Sequence, residues 1–250
     1  MKIKLTRENF RFVRPSLPDS RDIIYKSTAA NITEYSLEEY RGPILDQGSY
    51  GACTGFGTAG MLRTTFKRLT DLEVDFNPWY IYYNARSRSG WRYKDEGAYP
   101  REVFKSLVDD GVIEVSKWNP KNKIKEDPPK FGDEDLIKFK SYKRFDLKSI
   151  EQIQRDFSNY IGTEKLPIGI AMIINEQSAA EAGRSGVFNL YENDKSMGGH
   201  WVYADKVDQN GITLVNSWSN RWGKNGTAIV PWEIFPSIIF EAWSLDPKLP

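Results

Sequence analysis

The order of hydrophobic patterns along the chain predicts an α+β fold of two lobes, with a helical first half and a β-rich second half. Two observations carry this. Apolar residues recur at helical spacing in three stretches between 53 and 111, whereas beyond about 136 most apolar runs are short and bounded by turn residues. The length, 250 residues at 40% hydrophobic content, is enough for two lobes sharing a core.

Taken in order, residues 1–43 carry scattered prolines and "LPDSRD" and read as an irregular arm laid on the surface. Residues 44–250 read as one domain, its helical lobe spanning about 44–135 and its β-rich lobe about 136–250. From Cys53, "CTGFGTAGMLRTTFKRL" has apolar residues at 56, 59, 62, 66 and 69. Glycines 55, 57 and 60 cost that helix about 1 kcal/mol each relative to Ala and make sense only where the backbone packs closely. "NPWYIYYNARS" (77–87) and "AYPREVFKSLVDDG" (98–111) predict two further helices, with Pro78 and Pro100 in first turns and Gly111 as a stop. A polar loop fills 119–135, and another helix is expected over about 147–160. "LPIGIAMII" reads as a buried strand, "HWVYADKV" and "GITLVNSW" flank the hairpin turn "DQNG", and "GTAIVPW" and "IIFEAWSL" add further strands.

Composition excludes several classes of function. Net charge is +1, from 35 basic and 34 acidic residues without a like-charge block, which gives no footprint for nucleic acid or anionic membrane. The start, "MKIKLTRENF", lacks the apolar stretch of a signal peptide, and "IGIAMII" is far too short to span a bilayer. One cysteine, Cys53, excludes an internal disulfide and a cysteine-rich metal site, so a reducing cytoplasm is the expected compartment and no metal or cofactor is expected. The single histidine, His200, must serve any mechanism that needs an imidazole. Nothing in the chain specifies an oligomeric state.

"YGACTGFGTAG" (50–60) admits two readings. Gly55, Gly57 and Gly60 spell G-x-G-x-x-G, and Glu73 or Asp75 lies near the distance of a ribose ligand. A dinucleotide turn, however, needs a buried strand running into the first glycine, and "DQGSYGACT" is a run of turn and small polar residues. The alternative is a loop that presents a thiol. An isolated thiol near pKa 8.5 is mostly protonated at neutral pH, and a helix N-terminus or a neighbouring imidazolium corrects that. A buried, inert cysteine is the ordinary fate of a lone thiol; the company Cys53 keeps argues for more.

"DQGSYGAC", "EGAYP", "GGHWV" and "NSWSNRWGKNG" together resemble the papain-like cysteine peptidases. Gln47 matches the glutamine six residues before the nucleophile, and Gly48, Gly51 and Cys53 match around it. His200 follows Cys53 by 147 residues, within the family's range of roughly 130–150. Asn216 lies 16 residues further on, followed by Ser217 and Trp218, and Trp222, Gly223, Asn225 and Gly226 continue that element. The resemblance spans about 45–230 and implies a two-lobed papain-like fold, with a helical N-terminal lobe, a β-barrel-like C-terminal lobe and the active site in the cleft between them. "LPDSRD" resembles the opening segment of bacterial-type members, and no long propeptide is expected before Gln47.

The activity so implied is hydrolysis of peptide bonds in a polypeptide substrate by a thiol endopeptidase. Cys53 would be the nucleophile, its pKa depressed by several units, His200 the proton donor, Asn216 the residue that orients the imidazole, and Gln47 an oxyanion donor. Trp218 would shield the Asn216–His200 bond. Gly97, Ala98, Tyr99 and Pro100 would line one wall of the main specificity pocket, Ala171, Met197 and Gly199 the other, and Gly51 the next subsite. No charge is evident there, so an apolar or aromatic side chain is expected. The same triad serves an acyl transferase or ligase, and the fold serves a catalytically silent peptide-binding module; both stand as alternatives.

Three departures from the pattern matter. Tyr50 and Asp95 stand where most secreted members pair two cysteines, Thr54 replaces an aromatic residue, and Trp201 replaces a small one. A regular hairpin about "DQNG" would place Asn216 opposite Tyr203 rather than His200, so a bulge or twist worth about three residues is needed. The arm is expected to be structural, packed beside the β-rich lobe.

Overall fold

The structure, a computed structural model, describes residues 12–27 and 34–246. The first part of the arm (1–11), its stretch 28–33 and the tail 247–250 lie outside the described residues. Three helices form where the spacing puts them: α1 (Cys53–Thr70), α2 (Pro78–Arg88) and α3 (Pro100–Asp109). The last two begin at their prolines, where a missing N–H loses nothing. Asn77 caps α2 by accepting from the N–H groups of Trp79 and Tyr80. α4 (Ile150–Phe157) is shorter than its pattern and continues into one wide turn over 158–163.

The strands are β1 (Ile24–Tyr25), β2 (Tyr35–Ser36), β3 (Tyr142–Phe145), β4 (Ile168–Asn175), β5 (Ser196–Asp208), β6 (Gly211–Val215), β7 (Thr227–Pro231) and β8 (Ile239–Leu245). They form one open sheet in the order β1-β3-β8-β4-β5-β6-β7, with β2 pairing on β5. Two short helices, α5 (Glu176–Ser185) and α6 (Phe235–Ile238), complete the lobe. The sequence pattern missed α5, because among its apolar side chains only Ala179 and Ala182 are buried, and small residues carry little periodic signal.

β4 explains why "IGIAMII" does not alternate. Its even-numbered side chains, from Ile168 to Ile174, enter the core of the β-rich lobe, while Ala171 joins a second core shared with α1 and α3. β5 behaves alike: Val202 and Ala204 face the first core, Trp201 and Tyr203 the second. A strand buried on both faces reads as a continuous apolar run.

The second core is where the two halves meet. A side chain at Gly57 would lie 2.9 Å from the ring of Trp201, and one at Gly55 would lie 2.3 Å from the Pro78 carbonyl of α2. The glycines of the "CTGFGTAG" stretch therefore serve close packing rather than a phosphate. They also make room for Trp201, fully buried where the related pattern has a small residue.

The arm is not laid on the surface. β1 pairs parallel to β3 and β2 antiparallel to β5, so the arm adds strands to the β-rich lobe as expected of a structural segment. Beyond β2, Arg41 forks onto the buried carboxylate of Asp205 (Nε–Oδ2 2.6 Å, Nη2–Oδ1 3.1 Å). Asp205 is the extra residue of a bulge: Ala204 pairs with Leu214 and Lys206 with Thr213. The bulge shifts the hairpin by one residue rather than three, bringing Val215 opposite Tyr203, and side-chain reach covers the rest of the gap from Asn216 to His200.

Truncating Arg41 would leave Asp205 buried without a counter-charge. Arg41→Ala is expected to destabilise the fold by about 3–5 kcal/mol, measured by chemical denaturation; a loss below 1 kcal/mol would show that the bulge does not need the pair.

Candidate active site

Cys53 opens α1. The cap residue Ala52 offers no side-chain bond to the first turn, and the N–H groups of Cys53, Thr54 and Trp201 are directed at the sulfur. His200 lies on β5, with its Nε2 2.8 Å from Asn216 Oδ1. That oxygen also accepts from the Ser217 N–H at 2.8 Å. Nε2 is therefore the donor, and the neutral ring carries its lone pair on Nδ1. The Trp218 ring sits 4.7 Å from the imidazole, tilted 34°, and is itself met edge-on by Trp222.

Gln47 is held at both ends of its amide. Nε2 donates to the Tyr50 carbonyl at 2.8 Å, and Oε1 accepts from Ser217 Oγ at 2.6 Å. Cys53, His200, Gln47, Gly51, Met197, Gly199 and Trp218 line one cavity of about 130 Å³ together with Phe12 and Ile174. Among the other residues singled out from the sequence, Ala98 and Ala171 are buried in the second core, Pro100 starts α3, and the Tyr99 ring lies against Trp91 instead.

The arm crosses this cleft. Phe12 bridges to Gly199 and Val13 to Ala98, both in parallel sense. Val13 is fully buried in the cluster that holds Ala98 and Ala171, the residues expected to line a substrate pocket. Gly97 permits the approach: at φ +77°, a Cβ there would lie 1.8 Å from the Phe12 carbonyl oxygen. A carboxylate that the sequence did not reveal stands beside Ala171. Glu241 pairs with Ala171 across β4 and β8 and is buried. Its carboxylate accepts from the N–H and Oγ of Ser16 and from Trp243 Nε1.

The shift at the Cys53 thiol runs opposite to the one expected from the sequence. Burial pushes the Cys53 thiol up to about 12, outweighing the three N–H groups, and Asp95 adds a smaller push in the same direction. Burial likewise holds the His200 imidazole down at about 4 against the favourable Asn216 bond. The pair is desolvated and neutral.

Sequence reasoning did not give a role to Ile174, Ser217, Tyr82 or Glu241. Ser217 lies within a recognised motif and Ile174 within the strand run, whereas Tyr82 and Glu241 come near the site only through folding. Among the described residues no group of three or more His, Cys, Asp or Glu is placed to hold a metal ion, and no helix is long and apolar enough to cross a membrane.

No family model and no curated protein matches the sequence. Solved structures do match. The chain is similar to xylellain, a cysteine protease from Xylella fastidiosa, at TM-score 0.81 and 22% identity, covering 98% of this chain and 99% of that one. Procathepsin B S9 from Trypanosoma congolense matches at TM-score 0.71 and 12% identity, covering 96% and 87%. A cysteine protease of Carica candamarcensis, solved in complex with E-64, matches at 0.65 and 15%, covering 85% and 97%. The fold of the chain is papain-like.

The buried pair has a signature in stability. An unfolded histidine takes up its proton near pH 6.5, whereas folded His200 resists until about pH 4, so stability falls as pH drops through that window. His200→Gln is expected to flatten the loss of melting temperature between pH 7 and 4.5 relative to wild type. Parallel curves for the two proteins would mean that the imidazole is not held neutral.

Proposed function

We propose that the chain is a cysteine peptidase that hydrolyses peptide bonds through an acyl-enzyme formed on Cys53. The observation that carries this is the pairing of a lone cysteine at a helix start with a lone histidine whose Nε2 is engaged by Asn216, in one cavity. Nδ1 is thereby left to take the thiol proton. The thiolate attacks the substrate carbonyl carbon, and the oxygen turns toward the Gln47 amide and the Cys53 N–H. The imidazolium then passes its proton to the leaving amine as the C–N bond breaks. Water, deprotonated by the same imidazole, attacks the thioester and releases the acid, returning the proton to the sulfur. Asn216 keeps the ring oriented throughout, and Trp218 keeps water from that bond.

A substrate must first displace Phe12 and Val13, whose burial of the cleft also holds the pair neutral. The arm thus has two jobs along its length: strand pairing from 24 onward and occlusion of the cleft at 12–13.

Cys53→Ala is expected to abolish cleavage of a peptide library with the melting temperature nearly unchanged, and His200→Ala to cost more than Asn216→Ala, because Asn216 orients rather than transfers the proton. Turnover by the Cys53 variant near the wild-type rate would remove the nucleophile from this reading.

Phe12→Asp in the full chain should loosen the arm. It is expected to raise kcat/KM by about tenfold, worth about 1.4 kcal/mol, and to speed iodoacetamide labelling of Cys53. Unchanged rates in both assays would mean that the arm does not gate the cleft.

A further inference from the structure

We propose that Asp95 is a positioning residue for the oxyanion-binding corner, acting on Gln47 through a single peptide unit. The proposal rests on the peptidase reading above and adds to it the group that sets its geometry.

The peptide between Tyr50 and Gly51 is engaged on both sides. Its N–H, on Gly51, lies 3.1 and 3.0 Å from the two carboxylate oxygens of Asp95. Its carbonyl, on Tyr50, accepts from Gln47 Nε2 at 2.8 Å. A carboxylate bound to an amide N–H is a strong, charge-assisted acceptor, and it polarises the carbonyl on the other side of the same unit. Asp95 therefore does two things to Gln47. It keeps the Tyr50 carbonyl turned toward the side-chain amide, and it strengthens the bond that carbonyl accepts. Gln47 Nε2 bears two hydrogens. With one committed to Tyr50 and Oε1 tied to Ser217 Oγ at 2.6 Å, the amide plane is set and the second hydrogen is left for the cleft.

Asp95 is itself well supported. Tyr82, fully buried on α2, donates its hydroxyl to Asp95 Oδ1 at 2.6 Å, and the same hydroxyl accepts from the Gly97 N–H at 3.2 Å. The Arg86 guanidinium lies 4.5 Å from the centre of the Tyr82 ring. One carboxylate thus joins the loop before Cys53 to the Gly97–Ala98 wall, at a position where the related pattern uses a covalent cross-link. Beyond Gln47 the chain of bonds continues through Ser217 N–H to Asn216 Oδ1 and on to His200 Nε2. The two halves of the site share one hydrogen-bonded framework, with Asp95 at its end.

The test is a double-mutant cycle in the full chain: wild type, Asp95→Ala, Gln47→Ala and the double variant, with Asp95→Asn as a second variant that keeps the shape and one acceptor. Two readouts are taken: kcat for a peptide amide at saturating substrate, and the rate of Cys53 alkylation by iodoacetamide, which needs no oxyanion donor. The arm competes with substrate, so changes in its seating enter KM rather than kcat. Gln47→Ala is expected to lower kcat by about 10²–10³-fold, the usual effect of losing such a donor. Asp95→Ala should lower kcat by about tenfold or more, less than Gln47→Ala, and add nothing to it in the double variant. Alkylation should not fall below about half the wild-type rate, since losing the Asp95 charge removes a push on the thiol pKa, and Asp95→Asn should recover part of kcat. Multiplicative losses in the double variant, or alkylation falling in proportion to kcat, would overturn the positioning role while leaving the peptidase reading intact. A wild-type chain that neither cleaves peptide nor labels at Cys53, even with Phe12→Asp, would defeat the peptidase reading and this proposal with it.

Discussion

The close seating of α1 on β5 is the constraint on which the rest of the structure depends. Cys53 and His200 are far apart in the chain, yet a thiol and an imidazole can cooperate only within about a side chain's length. The helix that begins at Cys53 must therefore lie with its backbone against the strand that carries His200. Gly57 allows this by leaving its Cβ position to the Trp201 ring and carbonyl, and Trp201 fixes the distance by filling the space completely. In isolation the glycines weaken α1, and the tertiary contact compensates. The second core, built from α1, α3 and the outer faces of β4, β5 and β8, is consequently both the lobe junction and the floor of the cleft.

Local electrostatics follow from what covers that floor. The N–H groups of Cys53 and Thr54 at the helix start and of Trp201 favour a thiolate, yet burial of the sulfur outweighs them, in a cavity that Phe12 helps to line. The same arm that closes the site is anchored where displacement costs most. Ser16 satisfies Glu241, and the Arg101 guanidinium is forked onto the buried Asp22 carboxylate. The segment just before those anchors crosses the cleft, with Phe12 bridging to Gly199 and Val13 to Ala98. Anchoring and occlusion are thus separated by a few residues, which lets one end of the arm move without unravelling the sheet.

Polar order on the other side of the cleft comes from a connected set of bonds rather than from a cross-link. Asp95, the Tyr50–Gly51 peptide, Gln47, Ser217, Asn216 and His200 form one path. A disulfide would need an oxidising environment; a carboxylate held by Tyr82 does not. The links from Gln47 through Ser217 and Asn216 to His200 are buried, and those at the Tyr50–Gly51 peptide are partly so.

By itself, the sequence determined the fold class, the positions of α1, α2 and α3, the hairpin, and that Gln47, Cys53, His200 and Trp218 are candidates to share one cleft. These are legible because they rest on local rules: helical spacing, prolines in first turns, the "DQNG" turn and short motifs in a fixed order. Only the tertiary structure decided how they meet. The bulge residue Asp205 is paired with Arg41, more than 160 residues away, and no local pattern encodes a distant ion pair. The seating of Val13 depends on a pocket built from three separate segments. The state of Cys53 depends on desolvation, which is a property of everything packed around it. Sequence names the candidate groups; burial and long-range pairing set their distances and their charge.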